Sequence, residues 1–144
     1  MKIQAALNVQ IANWSVLYTK LHRFHWYVKG SLFFTLHEKF EEFYDEAGLA
    51  VDELAERLLA IGGEPVSTMK EYLELATIKE TVNETKAKEM VQTLLQDYLT
   101  ITEELKELAS LSDAEDDTIT NDLATDLIDK IAAHTWMLKA YLGE

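Results

Sequence analysis

Residues 33–61 read FFTLHEKFEEFYDEAGLAVDELAERLLAI, and this stretch decides the fold. Leu36, Phe40, Phe43, Ala47, Val51, Leu54 and Leu58 recur in steps of three and four, so they line one stripe of a long helix that halts at Gly62-Gly63. Beside that stripe run His37 and Glu41, four apart, and Asp52 and Glu56, also four apart, so each pair shares one helix face. Glu41 and Asp52 lie about three turns apart, roughly 16 Å at 1.5 Å per residue, too far to share one ion. An antiparallel copy of the helix, turned about a two-fold axis near Ala47–Gly48, places Glu41 of one chain opposite Asp52 of the other. Small residues at that crossing suit a close approach of the two backbones. The spacing therefore predicts a metal site between two copies of the chain.

Three more helical patterns surround this one. Leu7, Ile11, Trp14, Tyr18, Leu21, His25 and Val28 form the seam of a first helix that ends at Lys29-Gly30. A third helix is expected over residues 84–110, through Val91, Leu94, Tyr98, Ile101, Leu105 and Leu108. A fourth is expected over residues 119–142, through Leu123, Leu127, Ile131, His134, Leu138 and Tyr141. The first two helices are joined by a few residues, as are the last two. Residues 64–83, with Pro65 and a short helical candidate around residues 69–76, separate the middle pair. Short, long, short is the connectivity of an all-α, ferritin-like four-helix bundle with one crossover, here a single domain over residues 1–144.

Composition narrows the class. There are 144 residues with no cysteine, one proline and five glycines, so disulfides, thiol chemistry and cysteine-based zinc sites are absent. No segment approaches the ~20 apolar residues of a membrane span, and the polar-broken start of the chain does not resemble a signal peptide; a cytoplasmic location is expected. The net charge of −13 draws cations and repels nucleic acid.

Only four histidines are present. His134 falls in an apolar seam and is expected to be a hydrogen-bonded core residue, and His22 flanks the region without being singled out. His25 shares a seam position but is brought near His37 by the short first loop, with carboxylates following. Imidazole with several carboxylates suits iron, manganese or zinc, and ferrous iron particularly, since mixed N/O ligation leaves positions open to an oxidant. A di-iron site inside one bundle needs Glu-x-x-His on two helices. No Glu-x-x-His occurs in this chain. The bundle interior is therefore expected to be apolar and any iron site to lie elsewhere.

Residues 22–30 (HRFHWYVKG), 33–40 (FFTLHEKF), 52–57 (DELAER) and 136–140 (WMLKA) together resemble the Dps family of mini-ferritins over nearly the whole chain. The resemblance implies a hollow homo-dodecamer with ferroxidase centres at two-fold interfaces, oxidising Fe(II) with hydrogen peroxide in preference to dioxygen and storing a ferric mineral. By position it implies iron ligands His25, His37 and Glu41 from one subunit and Asp52 and Glu56 from its partner. Many members carry Asp where this chain has Glu41. Trp26 and Tyr44 are expected near the centre, either as electron donors or as packing aromatics.

Asp113, Glu115, Asp116, Asp117, Asp122 and Asp126 form an acidic cluster that reads either as a charged loop with favourable charges at a helix start or as a functional row. The family lines three-fold pores with this region, which marks Asp117, Asp122 and Asp126 as pore residues. Glu38, Glu42 and Asp45 are expected either as cavity-facing nucleation carboxylates or as solvated surface. DNA-binding members carry a basic tail. Here only Lys2 precedes the first helix, so DNA binding at physiological salt is not expected.

Overall fold

The computed structural model describes residues 2–81 and 83–144. Five helices follow in order: α1 (Lys2–Tyr27), α2 (Phe33–Ala60), α3 (Met69–Leu75), α4 (Ala87–Ala114) and α5 (Thr118–Tyr141). No strand occurs among the described residues. The chain is all-α. α1 packs on α2 and α4 on α5, so two helical hairpins form the bundle; α1 also touches α4 and α3, whereas α2 barely meets α5.

Leu7, Ile11, Trp14, Leu21 and Phe24 of α1 meet Phe40, Phe43, Leu54 and Leu58 of α2 and Leu94, Tyr98, Ile101 and Leu105 of α4 in one core. α2 stops where expected. Gly62 takes φ +86, a left-handed geometry that a side chain would resist, while its N–H bonds Leu59 O.

Two seam positions and the bounds of α4 need correction. Tyr18 and Tyr141 are exposed, because the steps of three and four drift relative to a true helix and carry them off the buried face. α4 begins at Ala87 rather than residue 84, since the Glu84 carboxylate is held ahead of the helix by the hydroxyls of Thr81 and Thr93. It ends later too, which takes Asp113 into the helix and leaves the turn at Glu115 and Asp116. Asp116 adopts a left-handed φ of 58.

The expectation of an apolar interior is also corrected. Gln10, Asn13, Lys20, Asp97, Ser112 and Thr120 are buried. Asn13 and Lys20, with the half-buried Asn8, anchor the long crossover to α1. Asn8 accepts from Val66 N at 2.9 Å and donates to Glu64 O at 3.1 Å. Asn13 accepts from Thr77 N at 2.7 Å and donates to Thr77 Oγ1 at 2.9 Å and Glu104 Oε1 at 2.7 Å. Lys20 Nζ donates to Lys79 O at 2.7 Å and pairs with Asp97 at 2.7 Å. Hydrophobic periodicity shows which face is buried but not which polar groups satisfy one another there.

Ala47 and Gly48 serve their own chain. Ala47 is fully buried, and a Cβ on Gly48 would stand 3.1 Å from Tyr18 Cε1. Gly48 therefore makes room for the α1 tyrosine.

Candidate metal centre

The short loop between α1 and α2 brings His25 and His37 face to face. Their rings stack at 3.6 Å with planes 13° apart. His25 Nδ1 lies 2.5 Å from His37 O, and His37 Nδ1 lies 2.7 Å from His25 O. A carbonyl oxygen can only accept, so each Nδ1 carries the proton and donates. In the neutral rings both Nε2 atoms are then bare lone pairs. This orientation through the remote nitrogen is the arrangement that metal-bound imidazoles use.

Glu41 joins them from one turn along α2, its Oε1 3.8 Å from His25 Nε2. The Glu41 side chain is 52% exposed, in contrast to His25 at 8%. Tyr44 donates its hydroxyl towards the same Glu41 oxygen at 3.5 Å. Partial burial, and then the Glu41 and Asp45 carboxylates beside it, push the Tyr44 phenol above its usual value, so the hydroxyl stays a donor.

Around Tyr44 lies a cluster of rings that sequence patterning did not reveal. His22 stacks on it at 3.7 Å, Tyr18 meets it edge-on at 6.0 Å, and Trp26 packs on His22 at 5.4 Å. Trp26 is 66% exposed.

Asp52 and Glu56 are exposed on the later half of α2, about three turns or more from Glu41. Among the described residues, no three His, Asp or Glu side chains of one chain gather closely enough to hold an ion. One chain thus brings together His25, His37 and Glu41 loosely and leaves Asp52 and Glu56 apart from them.

The acidic cluster divides. Asp122 and Asp126 are exposed on α5. Asp117 caps α5: its Oδ1 accepts from Thr120 N at 3.0 Å and its Oδ2 from the Thr120 hydroxyl at 2.6 Å. Arg57 reaches across from α2, placing Nη2 2.8 Å from Asp117 Oδ1 and Nε 2.9 Å from Thr120 Oγ1. Burial alone would raise the Asp117 carboxyl; the Thr120 contacts and Arg57 outweigh it and hold it below the usual value. A depressed acid stabilises the fold above its unfolded pKa, and that contribution is lost as pH falls through the lower, folded value. Asp117→Ala should therefore cost about 1 kcal/mol at neutral pH, as for a lost cap. Its unfolding midpoint should also fall less than the parent's between about pH 6 and about pH 3, in urea titrations at both values. Arg57 was not foreseen; its only sequence signal is its place beside Glu56.

Glu38 and Glu42 line a shallow cavity of about 310 Å³ with Phe34, Thr35 and Lys39. Lys39 pairs with Glu42 at 2.7 Å. Asp45 is exposed on α2. His134 is the hydrogen-bonded bundle residue expected, with Nε2 3.0 Å from Glu46 Oε2.

A family model for the ferritin-like domain matches residues 4–144. General stress protein 20U of Bacillus subtilis is 53% identical over 138 residues, covering 96% of this chain and 95% of the relative. The chain belongs to the ferritin-like family. DNA protection during starvation protein 2 of Bacillus anthracis is 51% identical, with 96% and 94% covered. The crystal structure of Dps from Staphylococcus aureus superposes with a TM-score of 0.95 at 46% identity, covering 97% of this chain and 94% of that one. Within the family the chain takes its place with the Dps proteins, a group of iron-binding, protective proteins. No helix among the described residues is long and apolar enough to cross a membrane.

Proposed function

We propose that this Dps-type chain is a ferroxidase and iron store, oxidising Fe(II) with hydrogen peroxide at centres shared by two subunits of a homo-dodecamer. Dioxygen serves as the slower oxidant. The observation that carries the reading is the reciprocal His25–His37 bonding, which turns both Nε2 atoms away from the backbone bonds, that of His25 towards Glu41. Asp52 and Glu56 sit on the same stripe of α2 but out of reach, so a two-fold copy is needed to deliver them. The donor set of two imidazoles and three carboxylates suits ferrous iron and grips the harder ferric product more strongly.

The balance of the reaction explains why iron should be oxidised in pairs. One peroxide takes one electron from each of two Fe(II) ions and two protons from solution, giving two Fe(III) and two waters. A lone Fe(II) would give peroxide only one electron and release a hydroxyl radical. Asp117, Asp122 and Asp126 are the residues to line an acidic entrance, Asp117 also holding the start of their helix. Glu38, Glu42 and Asp45 are the residues to face the stored mineral. The cytoplasm, where Fe(II) and peroxide meet, is the expected location.

The test is to load the protein with Fe(II) without oxygen, then add peroxide to one portion and air to another. Fast formation of soluble, protein-bound ferric iron with peroxide is expected. Oxidation no faster than in protein-free buffer, with precipitation, removes the proposal.

Several relatives carry DNA protection in their names, which makes DNA compaction the rival reading. A charge of −13 on each chain opposes contact with phosphates. No shift of duplex DNA is expected in a gel run at physiological salt; a tight stoichiometric complex there would favour the rival.

A further inference from the structure

We propose that Tyr44 is a positioning residue for Glu41, the least firmly held of the three ligands that one chain brings together; this rests on the iron-site reading above. His25 and His37 are locked by each other's backbone. Glu41 has no comparable partner, and its half-exposed side chain turns about three bonds, so its carboxylate has many placements to lose on binding a metal. The Tyr44 hydroxyl meets the same oxygen that faces His25, at 3.5 Å against 3.8 Å. It therefore confines the carboxylate between the phenol and the imidazole.

Tyr44 can do this because its own ring is confined. His22 covers one face at 3.7 Å with planes 20° apart, and His25 and Tyr18 stand edge-on at 5.4 and 6.0 Å. His22 is fixed in turn by its Nδ1, 2.8 Å from Tyr18 O. Tyr18 settles into the space that Gly48 leaves open. A line of contact thus runs from Gly48 through Tyr18 and His22 to Tyr44 and the Glu41 carboxylate. An aspartate at this position, with one rotatable bond fewer, needs less holding. The anchor matters because this chain places the longer acid there.

Co(II), which peroxide-free buffer leaves unoxidised, reports the two metal positions through its visible absorption. In the assembled protein, Tyr44→Phe should weaken the position that uses Glu41 by about ten-fold and leave the other unchanged, the usual scale for a group that orients a ligand. The same change made on a Glu41→Asp background should alter affinity by less than about two-fold. His22→Phe, which preserves the stack but loses the Nδ1 bond, should weaken that position less than Tyr44→Phe does, whereas His22→Ala should follow Tyr44→Phe. Parental binding by Tyr44→Phe, or an equal loss on both backgrounds, would overturn the inference while leaving the iron site intact. Failure of the parent protein to bind Co(II) at all removes the centre and this inference with it.

Discussion

Assemblies built only from His25→Ala/His37→Ala chains should lose fast peroxide-driven iron oxidation, and so should assemblies built only from Asp52→Ala/Glu56→Ala chains. The loss should be at least about 100-fold in each, beyond what removing a mere orienting partner costs. Co-assembly of the two should restore part of it. In a pair of unlike chains, one centre combines both defects and the other draws intact histidines from one chain and intact carboxylates from its partner. Random mixing in equal amounts makes half of all pairs unlike, so about one quarter of centres, and of the rate, should return across the two-fold. A centre formed within single chains gives no recovery, because every chain then carries a broken set. Stopped-flow ferric absorbance on assemblies of equal size distinguishes the outcomes. Parental rates in either homogeneous assembly would show that the stripe is not a metal site.

Periodicity made the helices and their connections legible. Leu36 through Leu58 fall on a stripe because the 3.6-residue turn requires it, and Gly62 stopped α2 because few other residues take its backbone angle easily. His25 and His37 were legible as neighbours from loop length alone. Their tautomers were not, since these depend on two carbonyls that turn towards the rings only once the loop is folded. The role of Asp117 was hidden for a similar reason. A carboxylate in an acidic run looks like its neighbours until its cap bonds to Thr120 and the reach of Arg57 set it apart. Gly48 has a role within its own chain that spacing did not reveal. Small residues mark close approach, but a sequence does not say whether the approaching group is another chain or, in this fold, Tyr18.

Lys20→Met should destabilise the fold by about 3–5 kcal/mol, the cost of breaking a buried ion pair from one side and several times that of losing the Asp117 cap. The Lys20 and Asp97 side chains are 4% and 12% exposed. Burial pushes the Asp97 carboxyl above its usual value even with the ammonium 2.7 Å away, so the charged acid is less comfortable here than in water. Removing the lysine strands that charge and also takes the donor from Lys79 O, where the crossover is tied to α1. A group with a raised folded pKa contributes its stability below the unfolded pKa and loses it as pH rises through the folded value. The gap between Lys20→Met and the parent should accordingly narrow as pH falls and Asp97 takes up its proton. Lys20→Met/Asp97→Leu should recover much of the loss, because no charge is then buried alone. Urea unfolding of all three proteins at two pH values gives the answer. If the double variant is as unstable as the single one, the Lys79 contact and not the stranded carboxylate is what Lys20 supplies.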